Sequence, residues 1–244
     1  MRALDDLIDI ASDLQDLVSI AINRTADIDA LGFWHPSVYW QPTPEAKKSP
    51  KPVEYFVPWN ARDTGPTPRG LQAHEMFFTY PDFGGIDGIG RWLRSAWRHR
   101  GGLGRVMASR YARQMLVSDR LLNRAAALEA FDREVTGFAG SKFKTRMKRC
   151  ADLAGAPFAG LVGDIDAWAE VIRLDRDDIA HHFGRRMKHS SADQFFLAES
   201  LYWLFILCML RDCQAPAKVY QRIADHQALD WLGHRVQSAV QNRR

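Results

Sequence analysis

The amino-acid sequence predicts a mainly α-helical fold: an antiparallel helical bundle with a small β/extended appendage on its N-terminal side. Three observations carry this expectation. From Gly90 to the C-terminus, apolar residues recur at helical spacing. The interruptions in that stretch are short and marked by Gly or Pro, which favours antiparallel neighbours. Residues 32–85 differ in kind, since they hold Pro36, Pro42, Pro44, Pro50, Pro52, Pro58, Pro66, Pro68 and Pro81 between short aromatic runs. The chain accordingly reads as 1–85, an N-terminal helix plus the appendage, followed by 86–244, the bundle.

Taken in order, Leu4, Leu7, Ala11, Leu14, Val18 and Ala21 alternate with five aspartates, so an amphipathic helix is expected over 3–24. Residues 37–41 and 53–57 read as short strands, 42–52 as the loop between them, and 75–79 as another extended piece. Helices follow at 87–99, 105–136, 141–153, 164–183, 192–212 and 217–240. Gly101, Gly102 and Gly104 are read as the break after the first of these, and Gly155, Pro157 and Gly160 as the break after the third. Ser191-Ala-Asp-Gln194 has the form of a capping box opening the helix at 192.

Composition narrows the class. Apolar residues make up 46% of the chain, enough for a sizeable core. The formal net charge of +4 hides a polarised molecule, about −6 over residues 1–90 and about +10 over 91–244. A basic half favours a polyanionic partner, nucleic acid or an anionic surface. Cys150, Cys208 and Cys213 are odd in number and lack CxxC spacing, so neither a disulfide framework nor a structural zinc is expected. A reduced, cytoplasmic compartment fits. The N-terminus is too acidic for a signal peptide. The most apolar run, 201–210, is too short to cross a bilayer, and a buried core helix is expected there instead of a membrane span. The histidines show no metal-ligand spacing, and no metal or cofactor is expected. Gly84–Gly90 lacks the pattern of a phosphate-binding loop and reads as a turn with a helix start.

The segment with chemistry is Asp175-Arg-Asp-Asp-Ile-Ala-His181. Five helical steps set Arg176 and His181 roughly 140° apart. Asp177 and His181 share a face, where the acid can orient the imidazole. These residue types suit RNA cleavage without a metal. RNA carries its own nucleophile, the 2′-hydroxyl. Histidine moves protons near neutral pH, and arginine stabilises charge on phosphate oxygens. His182 leaves an RxxxxxH spacing open as an alternative. Lys142, Lys144, Arg146, Lys148 and Arg149 place five basic residues in eight positions, a candidate phosphate-contacting patch, and Arg185, Arg186 and Lys188 follow the motif directly.

Residues 110–213 resemble the HEPN superfamily, specifically the ApeA-like HEPN proteins of bacterial abortive-infection and anti-phage defence. Arg120-Leu-Leu-Asn-Arg-Ala-Ala-Ala-Leu-Glu-Ala-Phe-Asp-Arg133 looks like that family's long helix. Asp175–His181 looks like its RxxxxH helix, and Leu201–Leu210 like the apolar helix that closes its bundle. Upstream, Glu75-Met-Phe-Phe and Arg91-Trp-Leu are similar to the segment leading into the module. The resemblance implies a HEPN-type bundle and a metal-independent endoribonuclease toxin, homodimeric, with two RxxxxH motifs meeting in one cleft. It implies Arg176 and His181 as catalytic, with Asp177 in the polar position after the arginine. Lys142, Lys144, Arg146, Arg185, Arg186 and Lys188 are then the expected RNA contacts. Larger members carry a sizeable N-terminal domain, so a compact or truncated form served by a sensing or restraining partner protein is expected. The alternative is a non-catalytic HEPN bundle acting as an RNA-binding or dimerisation subunit of a defence or toxin–antitoxin complex.

Overall fold

A computed structural model describes residues 4–28, 30–54, 70–112, 114–181 and 188–242. The fold is mainly helical with one small sheet, as the periodicity predicts. In chain order the elements are α1 (Leu4–Ala21), β1 (Gly32–Trp40), β2 (Ser49–Glu54), a 3-10 turn (Ala73–Glu75), α2 (Gly85–Arg98), α3 (Arg100–Tyr111), α4 (Val117–Thr136), α5 (Phe143–Ala154), α6 (Ala156–Val162), α7 (Ile165–His181), α8 (Ser191–Asp212), α9 (Ala217–Ala224) and α10 (Gln227–Asn242). The strands pair antiparallel, Gly32 opposite Glu54 and Trp40 opposite Ser49, with an irregularity between Trp34 and Tyr39. Proline at positions 36, 50 and 52 is tolerated because a two-stranded ribbon consists of two edges.

Helix α8 is the axis of the molecule. Every residue from Leu197 to Leu210 is buried, and α2, α4, α5, α6 and α10 pack around it. A helix apolar on all faces must be enclosed on all faces. The helix is longer than its apolar run suggests. It has the length and composition to cross a bilayer, yet 83% of its most apolar stretch is buried inside the fold. The side chain of Ser190, not Ser191, caps it by accepting from the Asp193 amide at 3.1 Å.

Four expectations are corrected. Gly101, Gly102 and Gly104 lie inside α3, which follows α2 after the single residue His99 and ends at Tyr111, with α4 beginning at Val117. Packing of α3 on α4 overrides the poor helix propensity of glycine. Pro157 sits in the first turn of α6, where its missing N–H costs nothing, so a short helix forms where a break was expected. The last helical stretch is two helices, divided at Asp225 and His226, with the His226 carbonyl accepting from Leu229 N at 2.8 Å. Residues 75–79 form no strand, only the end of a 3-10 turn and the approach to α2.

The boundary near residue 85 also moves. Leu17, Ile20, Phe77, Phe78 and Phe83 belong to the same core as the helices of the bundle. Trp92 Nε1 donates to the Asp13 carbonyl at 2.7 Å, and the Phe77 amide donates to the Ala21 carbonyl at 2.8 Å. Helix α1 is therefore part of the body, and the β1–β2 ribbon alone is appended to it.

Docking of α1 buries two of its acids. Asp13 meets Arg100 at 2.8 Å, and Asp16 accepts from the Tyr111 hydroxyl, which also contacts Ser19. Burial pushes Asp16 up to about 7 and Asp13 up to about 6. A carboxyl raised in the folded state favours docking while protonated, so its contribution is full at low pH and is lost as pH rises through 6–7. Amide exchange in α1, corrected for intrinsic rates, should accelerate by up to about tenfold per pH unit for each carboxyl between about pH 4 and its raised pKa of about 6 or 7, and should level off above 7. Asp16→Asn should flatten that dependence, and a flat wild-type profile would show that Asp16 is already ionised.

Candidate active site

Helix α7 carries the motif. Asp164 opens it, its Oδ1 accepting from the amides of Asp166 and Ala167 at 2.9 and 3.0 Å. Trp168, Ala169, Ile172 and Ile179 form its buried stripe against α4, α5 and α10. The Trp168 indole N–H donates to Ser200 of α8 at 2.9 Å, which fixes the rotation of α7 on the core. The opposite faces carry the charged residues.

Arg176 turns inward between α4 and α5. Its Nη2 lies 3.5 Å from Glu129 Oε2, its Nη1 lies 3.3 Å from Asp177 Oδ1, and the guanidinium sits 5.0 Å above the Phe143 ring. Its side chain keeps 32% of its surface exposed. Asp177 does not hydrogen-bond to His181 as expected, because its carboxylate is taken by Arg173 at 2.9 Å and by Arg176. Its role is to hold Arg176. His181 is the last residue of α7, exposed, and makes no hydrogen bond or ion pair to any described residue. One protomer thus leaves the arginine and the histidine facing different ways, in keeping with their angular separation. His182, Arg185 and Arg186 lie outside the described residues, and Lys188 is exposed.

The basic patch of α5 is a correction. Arg146 is only 4% exposed, with its guanidinium on Asp132 at 3.1 Å and on the Ser141 and Ala139 carbonyls. Arg149 joins it on the buried Asp132 at 2.6 Å. Lys144 lies 3.3 Å from Glu170, and Lys148 lies 2.9 Å from Asp166, so both tie α5 to α7. These charges knit three helices together, and Arg146 is unavailable to a phosphate. Lys142, at the N-terminal flank of α5, is exposed and carries no ion pair among the described residues.

Two further groups lie near the motif. Glu129, an acid on an apolar face of α4, can be read from the sequence as a buried acid near the site, but its partner Arg176, 47 residues away, cannot. His189 and Asp175 form a buried clamp, Nδ1 to Oδ2 at 2.7 Å, while His189 Nε2 donates to the Ala239 carbonyl at 3.0 Å. A carbonyl only accepts, so Nε2 must bear a proton, and the Nδ1–Oδ2 contact shares one more. Burial holds the His189 pKa below its ordinary value. The clamp pins the chain just after the motif to α7 and α10. Among the described residues no group of three or more His, Cys, Asp or Glu side chains is placed to hold a metal ion.

Removing the imidazole takes one hydrogen bond from the buried Asp175 carboxyl and one from the Ala239 carbonyl, so His189→Ala should cost about 1–3 kcal/mol in urea unfolding. Asp175→Asn can still donate to Nδ1 and should cost less than half as much. Equal, small losses would show that the two groups do not act as a pair. Compared with family models, with curated proteins and with solved structures, the chain gives no match.

Proposed function

We propose that this protein is a metal-independent endoribonuclease of the toxin type, acting in bacterial anti-phage or abortive-infection defence, with its site completed across a homodimer. The observation that carries the reading is the state of the two motif residues. His181 stands exposed and uncommitted at the tip of α7, and Arg176 remains one-third exposed within a cage of acids. Both are reachable by a phosphodiester.

In this reading His181 takes or delivers the proton of the 2′-hydroxyl or the leaving 5′-oxygen. Arg176 lies against the non-bridging oxygens and stabilises the charge that builds on them. Glu129, Asp177 and the Phe143 ring set the direction of the guanidinium before substrate arrives. A two-fold contact through the exposed end of α7 brings Arg176 of one protomer toward His181 of its partner, which is how diverging groups come to serve one phosphate. The second reading is a non-catalytic RNA-binding or dimerisation subunit. It is favoured by the acids already neutralising Arg176.

Purified protein incubated with total RNA in EDTA separates the two, since intact RNA would leave only the binding reading. His181→Ala should lower cleavage by about 10²–10⁴-fold without loss of folding, because the side chain is exposed at the end of α7. Arg176→Ala should also abolish cleavage. Mixing the two inactive variants should restore about a quarter of wild-type activity, as half the dimers are mixed and each carries one intact site of two. Restoration to no extent would place both groups within one subunit's site.

A further inference from the structure

Beside Arg176 lies a cleft of about 330 Å³ between α3 and α4. Glu129 connects the two places, since it lines the cleft and its carboxylate reaches Arg176. We infer that this cleft is the seat of the nucleotide adjacent to the scissile phosphate, with one base and one phosphate held between an aromatic floor and a guanidinium rim. The inference rests on the reading that RNA is the substrate of the Arg176 site.

Three arginines and two glutamates line the rim; Arg98 pairs with Glu134 and Asp212, and the other two arginines have no carboxylate partner among the described residues. Arg105 of α3 is exposed and has no hydrogen bond or ion pair to a described residue. Arg133 of α4 donates only its Nε, to the Glu129 carbonyl at 3.3 Å. Two uncompensated guanidiniums facing one cleft form a site for phosphate oxygens. The floor is of a different kind: the His99 imidazole packs on the Phe131 ring at 4.4 Å with Phe205 beneath, and these buried rings present only their edges as an apolar surface to the cleft. His99 Nε2 is buried 3.2 Å from Asp212 Oδ2, off the line of a hydrogen bond. Burial keeps this imidazole below its ordinary pKa, so it faces the cleft as a neutral ring. An apolar floor and a cationic rim together suit a nucleotide, whose base is apolar on its faces, whereas an acidic peptide needs only the rim. The volume lies at the small end of ligand sites, roughly 300–1,000 Å³, and suits one nucleotide better than a longer segment.

The glycines of α3 support this assignment independently. Gly102 is favoured by packing, as an added Cβ would stand 3.2 Å from the Phe205 ring, closer than an ordinary contact. Gly101 also lines the cleft, yet an added Cβ there would meet nothing within 4 Å. The backbone there is ordinary helix, and glycine is the poorest helix former after proline. Packing does not ask for glycine at 101. A bare wall does.

The test is calorimetric titration of the whole protein with adenosine and uridine 5′-monophosphates, adenosine alone and inorganic phosphate. A monophosphate should bind at least about tenfold more tightly than either adenosine or phosphate. Arg105→Ala should weaken it by about tenfold or more, the worth of one charge-assisted hydrogen bond. Gly101→Leu should weaken it comparably while leaving the melting temperature equal or higher. Monophosphate binding no tighter than phosphate, or both variants binding like the wild type, would overturn the seat. Nucleotide binding with these effects in a protein that cleaves no RNA would keep the seat and remove the ribonuclease reading. Cleavage without nucleotide binding would do the reverse.

Discussion

The structure depends on one buried charge. Helix α8 is enclosed on every side, and Glu199 is enclosed with it. A carboxylate there is tolerable only if paired. Arg124 of α4, itself fully buried, supplies Nη1 at 2.8 Å, and Arg110 of α3 adds a second contact at 3.2 Å. The Arg124 Nη1 also donates to the Ala198 carbonyl, its Nε donates to Ser109, and the Tyr202 ring lies 5.3 Å from the guanidinium. Such a cluster adds little net stability over apolar residues of the same size. What it fixes is register. Helices α3, α4 and α8 meet in the one alignment that leaves neither Glu199 nor Arg124 stranded.

The same rule, applied at Asp132, decides the fate of the basic helix. A second buried carboxylate on α4 draws Arg146 and Arg149 inward, and the lysines on the neighbouring face pair with α7. Helix α5 thereby becomes a strut between α4 and α7. Charges that would otherwise make a phosphate patch hold α7 and its motif in place. Among the described residues, the positive charges of the second half without a carboxylate partner include Arg105, Arg133, Lys142 and Lys188, which surround the motif only loosely in sequence.

Sequence periodicity made the helices legible because most bury one stripe, and a stripe repeats every three to four residues. The enclosure of α8 was equally readable, since a run such as Leu201–Leu210 has no polar face to expose. Helix ends were less readable. Glycine at 101, 102 and 104 signals a break by local propensity alone, and only the packing of α3 on α4 overrules it. Partner choice was hidden altogether. Nothing local distinguishes Arg146, buried on Asp132, from Lys142, exposed nearby, because the deciding carboxylate lies on another helix. The partners of Glu129 and Asp175 were hidden for the same reason: Glu129 could be read as an acid near the site, but Arg176 lies 47 residues on, and His189 reaches Asp175 only when the chain returns after α7.

Arg176 raises the question of whether an arginine already paired can serve a phosphate. Its contacts to Glu129 and Asp177 are long, 3.5 and 3.3 Å, and all three side chains are between about a fifth and a third exposed. Ion pairs so placed are worth about 0–1 kcal/mol, since water screens the attraction. A charge-assisted hydrogen bond to phosphate contributes about 1.5–3 kcal/mol, and a forked guanidinium can make two. The balance favours exchange of a carboxylate for a phosphate oxygen, with Phe143 still beneath the guanidinium to keep its plane. Under the proposed ribonuclease reading, Glu129 would do two things that a fully buried acid could not: hold the arginine in position before substrate arrives, and yield at little cost when substrate comes.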